Sequence, residues 1–291
     1  MSNRLVFIHG RAQEHKDAAT LKTEWMDAFR TGLAKNDVTL SLPESDIKFP
    51  YYGQTLHDLV SGAENVAEVV VRGNGADDAE RRFMQAVLQE IQQTLGITDD
   101  QIDQLLATDV RERGALNWEW VQGILKAIDN HVPGASGATL ALATSDVYQY
   151  LKNPGIRDAI ESGVRQAMQP DVPTVVVSHS LGTVVAFNLL RREGASQGWQ
   201  VPLFVTLGSP LAVTAIKAAL SPITRPSCVG HWFNAMDKRD VVALYPLTKN
   251  RFDVSPEIEN KTDVNNATSN RHGISGYLDD ADVARRIHAA L

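Results

Sequence analysis

The sequence predicts an α/β protein: a mostly parallel sheet covered by helices on both faces. Three observations carry this. Short β-branched runs alternate along the chain with four-residue apolar stripes, the periodicities of strand and helix. The run TVVVSHS (residues 174–180) has no polar alternation, as a strand buried on both faces requires. Alternating strands and helices imply right-handed βαβ crossovers.

Each element follows in order. Leu5 to Ile8 reads as a buried strand, and Leu21, Trp25, Phe29 and Leu33 stripe the helix after it. Ile47 to Tyr52 is a second strand candidate, broken by Pro50 and ended by Gly53. Ile156, Ile160, Val164 and Met168 stripe a helix that Pro170 and Pro173 stop before TVVVSHS. A helix over about Leu181 to Arg192, a strand at Leu203 to Leu207 and a helix opened near Pro210 come next. A strand at Val229 to Phe233 and a helix from about Asp280 close the pattern. Residues 1–291 are read as one domain.

The stretch 62–146 breaks the alternation. Phe83, Val87, Leu88, Ile91 and Leu95 line one helix. Thr98 or Asp99 caps a second helix carrying Ile102, Leu105 and Leu106, and Trp118, Val121, Ile124, Leu125 and Ile128 line a third. A connection this long carries its own structure, so it is read as a helical insertion: a cap over the site, or a flap that only extends the core. GASGAT (residues 134–139) reads as its hinge, and Trp118 and Trp120 suggest an apolar substrate part.

Composition excludes several classes. Hydrophobic residues make up 43% and charged residues 22% of the 291, which suits a globular chain with a sizeable core. A net charge of -7 offers no basic surface to nucleic acid. The start MSNRLVFIHG has only four apolar residues before His9, too few for a signal-peptide core, and no run approaches a membrane span. With the single Cys228, placed in an apolar strand-like stretch, these features predict a cytoplasmic protein. Neither HExxH, Cys/His clustering, a P-loop nor a GxGxxG after a strand is present, so no metal or other cofactor is expected.

Chemistry concentrates at Ser180, in SHSLG between a strand and a helix. A serine on such a turn projects its hydroxyl above the sheet, and small residues at 178 and 182 let strand and helix approach. Its hydroxyl needs a base and an orienting acid, which a doubly wound hydrolase supplies later in the chain, from loops at strand ends. His272, delivered by a polar loop before the last helix, is the base by position and elimination. His179 reads as a packing neighbour. DKRDVV offers Asp237 and Asp240 as the acid; Asp240 is favoured because Val241 and Val242 anchor its loop to the core. The amide of Leu181, and that of Arg11 after the first strand's His9-Gly10, are the expected oxyanion donors.

Taken together, LVFIHG, VVVSHSLGTVVAFNLL, FVTLGSPL, WFNAMDKRDVV and NRHGISGYL resemble an α/β-hydrolase of the lipase/esterase kind, in that superfamily's order. The resemblance implies an α/β-hydrolase-like fold with Asp240 and His272 as the partners of Ser180. The leading antiparallel hairpin of that superfamily is missing, and the insertion precedes the elbow rather than following it. The expectation is a cytoplasmic serine hydrolase cleaving small-molecule carboxylic esters, with an apolar acyl chain, through an acyl-enzyme. The alternatives are a thioesterase or amidase with the same triad, a membrane-surface lipase, and a non-catalytic binding protein of the same fold.

Overall fold

The structure, a computed structural model, describes residues 3–10, 17–52, 70–71, 76–106 and 118–291. Among these, one six-stranded sheet runs in the order β2-β1-β3-β4-β5-β6 with every neighbouring pair parallel. Its strands are β1 (Arg4–Ile8), β2 (Ile47–Lys48), β3 (Thr174–His179), β4 (Val201–Leu207), β5 (Val229–Ala235) and β6 (Glu259–Lys261). The expected α/β class is the observed one. The helices are α1 (Ala18–Ala34), α2 (Asp78–Thr94), α3 (Asp99–Asp103), α4 (Trp118–His131) and α5 (Gly137–Lys152). Beyond them come α6 (Pro154–Ala167), α7 (Leu181–Glu193), α8 (Thr214–Ala219), α9 (Ser275–Leu278) and α10 (Ala281–His288).

Alternation of side chains across the pleat sorts the strands' residues between two cores. Leu5, Phe7, Val175, Val177 and Val205 pack with Trp25 and Phe29 of α1 and with Tyr277, Val283 and Ile287 of the C-terminal helices. Val6, Ile8, Val176 and Phe204 face the other way, onto α6, α7 and the helices of residues 78–152. The chain leaves β1 toward β2 on one side and returns to β3 on the other. A crevice therefore opens beyond the carboxyl ends of β1 and β3, where such sheets hold their ligands.

The insertion's helices share the second core. Apolar residues of α2, α4 and α5 form one cluster with Val6, Ile8 and Val176. Thr98 caps α3 in a capping box with Gln101, settling the Thr98/Asp99 alternative. α5 runs past residue 146, where the insertion was expected to end, and residues 62–69, 72–75 and 107–117 lie outside the described residues. The tryptophans belong to the core: Trp118 and Trp120 are buried, and the Trp118 indole N–H donates to the Val71 carbonyl at 2.6 Å. GASGAT, read as the hinge, starts α5. Ser136 caps α5, and a Cβ on Gly137 would lie 2.6 Å from the Leu125 carbonyl oxygen, so the segment is packed tightly onto α4.

Other departures have local causes. β2 stops at Lys48 because Tyr52 turns to His9, its N–H donating to the His9 ring at 3.0 Å. β6 is a polar edge strand, Glu-Asn-Lys, with no apolar run to announce it. Cys228 sits in the turn just before β5 rather than in a strand, half-buried, and burial pushes its thiol up to about 11.

Candidate active site

Ser180 sits where β3 ends and α7 begins, with φ 54° and ψ -129°. A non-glycine residue held there carries strain of about 1–3 kcal/mol, which the surroundings must impose. They do so with named bonds. Its N–H donates to the Leu207 carbonyl at 3.1 Å, and its carbonyl accepts from the Thr183 N–H and hydroxyl at 2.9 and 2.7 Å. A Cβ on Gly182 would lie 2.5 Å from the His9 carbonyl oxygen and collide with that of Ile8, so only glycine lets α7 start this close to β1. At position 178 a serine suffices: its hydroxyl is buried and donates to the Val205 carbonyl at 2.8 Å.

The three expected side chains converge. His272 Nε2 lies 2.9 Å from Ser180 Oγ, and His272 Nδ1 lies 2.7 Å from Asp240 Oδ2. The carboxylate only accepts, so Nδ1 carries the proton and the Nε2 lone pair faces the serine hydroxyl. Asp240 is buried; its Oδ1 accepts the amides of Val242 at 2.9 Å and Ala243 at 3.3 Å. Burial pushes its carboxyl up, but the His272 charge and the hydrogen bonds of His272, Tyr277 and Val242 outweigh this and hold it below the usual range.

Asp237 has a different occupation. Arg239 grips it side-on, its Nε and Nη2 donating at 3.0 and 2.7 Å, and the Asn266 backbone N–H donates to it at 2.9 Å. It ties the acid loop to the loop carrying His272. Asn266, fully buried, organises that second loop: its side chain donates to Gly273 and accepts from Thr268.

Sequence reasoning missed three contributors. The Tyr277 hydroxyl donates to Asp240 Oδ2 at 2.6 Å, the same oxygen that faces His272. Burial and the adjacent Asp240 charge keep that phenol protonated. Gly208 has φ 55°, and a Cβ there would stand 3.1 Å from Asp240 Oδ2 and 3.2 Å from His272 Cε1. His9 Nδ1 donates to the Gly10 carbonyl at 2.7 Å while its Nε2 accepts from Tyr52, fixing the turn after β1. The GSP and HG motifs were visible, but the contacts that give them meaning come from distant segments. His179 is the packing neighbour expected, and more: its Nε2 donates to the His272 carbonyl at 2.8 Å. Burial, and secondarily the His272 charge, lower it to about 3, while burial lowers His9 to about 4.

Leu181 opens α7, so its N–H belongs to the helix's unpaired first turn beside Ser180. Arg11 lies outside the described residues; Gly10, just before it, stands against the serine, since a Cβ there would meet Ser180 Cβ at 2.7 Å. Two cavities meet at Ser180. One is a cleft of about 270 Å³ that includes Thr139, His272 and Ser275. The other, about 30 Å³, is walled by Val87, Ile91, Val147, Leu181 and Ile216. Trp118 and Trp120 line neither. Among the described residues no three His, Cys, Asp or Glu side chains are grouped to hold a metal ion, and no helix is long and apolar enough to cross a membrane.

Fold and site thus define an α/β protein with a hydrogen-bonded Ser–His–Asp chain at the switch point of its sheet. No family model matches the chain, and comparison with curated proteins finds no relative.

Proposed function

We propose that this protein is a serine hydrolase of the α/β-hydrolase kind that cleaves carboxylic esters. The observation that carries the reading is the unbroken chain Ser180 Oγ, His272, Asp240 at 2.9 and 2.7 Å, on a strained strand-to-helix turn. In this mechanism His272 Nε2 takes the Ser180 proton as Oγ attacks the carbonyl carbon. Asp240 holds the imidazole and stabilises its positive charge. The Leu181 amide, with that of Arg11, receives the oxyanion. His272 then protonates the departing alkoxide; water, deprotonated by the same nitrogen, releases the acyl group and restores the serine.

The insertion acts as a cap in this reading, because Val87 and Ile91 of α2 and Leu140 and Val147 of α5 wall the space next to Ser180. The test is hydrolysis of p-nitrophenyl esters by wild type and Ser180→Ala, with covalent labelling by a small phosphonyl fluoride. We expect labelling at Ser180 only and a loss of at least about 10⁴-fold in kcat on its removal. A Ser180→Ala protein that retains wild-type turnover removes the proposal.

A further inference from the structure

The two cavities flanking Ser180 differ in size and polarity, and the chemistry decides which half of an ester enters each. His272 must reach the leaving oxygen, within about 3 Å, to protonate it as the C–O bond breaks. The leaving group therefore occupies the cavity that His272 lines, the cleft of about 270 Å³. Its walls mix Leu21 and Val242 with the Thr139 and Ser275 hydroxyls, which have no hydrogen-bond partner among the described residues. The acyl tail must point the other way, into the chamber that His272 does not line.

That chamber is apolar and small. Besides Ser180, its one hydroxyl among the described lining residues is Thr144, already spent on the Leu140 carbonyl at 2.7 Å. About 30 Å³ holds two or three water molecules at about 10–15 Å³ each, room for a short acyl tail of about two or three carbons beyond the carbonyl. Leu181 stands in its wall, so an acyl group held there keeps its carbonyl beside the amide that opens α7.

We infer that this site is built for esters of a short apolar acid, acetyl to butyryl, with a larger alcohol that carries hydrogen-bonding groups. The inference rests on the serine-hydrolase reading and adds the substrate class to it. Attack leaves the short acyl group on Ser180 Oγ. The alcohol departs with the His272 proton. Water then supplies a hydroxide to the carbonyl carbon, and its remaining proton passes through His272 back to the serine.

The experiment measures kcat/KM for p-nitrophenyl esters from acetate to octanoate, and for ethyl acetate against a glucose acetate. It uses wild type, Ile91→Ala, Val147→Ala and Thr139→Phe, with phosphonyl fluoride labelling as an independent readout of Ser180. Wild type should peak between acetate and butyrate and fall about tenfold or more by octanoate, since even one excess methylene costs about tenfold in a filled pocket. Ile91→Ala and Val147→Ala should move the optimum to longer acids and leave the ranking of the acetates unchanged. Thr139→Phe should lower the preference for glucose acetate severalfold and leave the acyl ranking alone. Labelled wild type that prefers octanoate overturns the acyl assignment while the hydrolase reading stands. The same holds if folded Ile91→Ala and Val147→Ala both keep the wild-type chain-length profile. A labelled enzyme that turns over glucose acetate no better than ethyl acetate overturns the alcohol assignment. Absence of both labelling and turnover overturns the hydrolase reading and this inference together.

Discussion

Tyr277 and His272 share one oxygen of Asp240, at 2.6 and 2.7 Å, and that sharing sets how strongly the carboxylate pulls on the imidazole. Each donor drains charge from Oδ2, so removing one strengthens the other. Tyr277→Phe should make Asp240 a stronger partner for the protonated imidazole. For the proposed hydrolase, the acid limb of the kcat/KM profile should then move to higher pH, because a general base must be neutral to accept the serine proton. Labelling at Ser180 should persist. A profile that keeps its acid limb while losing only stability would make Tyr277 a packing residue. At this scale Ser180, Asp240 and His272 were legible, since each sits in a loop after a strand and they fall in a recognisable order. Between the two aspartates, sequence offered a preference and Arg239 the reason: it occupies Asp237. Tyr277 was not legible, because 37 residues separate it from Asp240 and no spacing rule joins them.

Among elements, the joint between α6, α7 and α5 turns on Glu161. Its side chain is fully buried, receives Arg165 and Arg192 at 2.7 and 2.9 Å, and accepts the Tyr150 hydroxyl at 2.7 Å. Removing a buried partner strands the rest; Glu193 still holds both arginines, which limits the loss. Glu161→Ala should cost about 3 kcal/mol in urea unfolding. A loss below about 1 kcal/mol would show that Glu193 and water replace it. Of the helices that meet at Glu161, α6 was readable from its stripe and α7 from its place after the β3 turn, while α5, β6 and α9 were not. Three polar edge residues and a single four-residue turn carry no periodicity to detect.

On the scale of the whole molecule, acid stability follows from burial of two histidines. His9 is lowered from 6.5 to about 4 and His179 from 6.5 to about 3. Their folded pKa values lie below the unfolded one, so between about pH 6.5 and 4 the unfolded chain binds protons that the folded chain does not. Stability from these groups is complete above pH 6.5 and is lost as pH falls, at up to about 1.4 kcal/mol per pH unit for each histidine. Asp240 and Asp237, both held low, extend the loss to more acid pH. The melting temperature should therefore drop between pH 7 and 5, with proton uptake on unfolding. A flat profile over that window would contradict buried neutral histidines.

What the sequence by itself determined is the α/β class, most elements and the identity of the Ser, His and Asp, because burial periodicity and motif order are local properties of the chain. Only the tertiary structure decided that these groups meet within hydrogen-bond distance, that GASGAT packs as a helix start, and that Trp118 and Trp120 serve the core. It alone decided that α2 and α5 wall a chamber of about 30 Å³ beside the serine. Convergence requires parallel crossovers to bring distant strand ends together, and a cavity's volume depends on how helices from several segments pack, which no local pattern encodes.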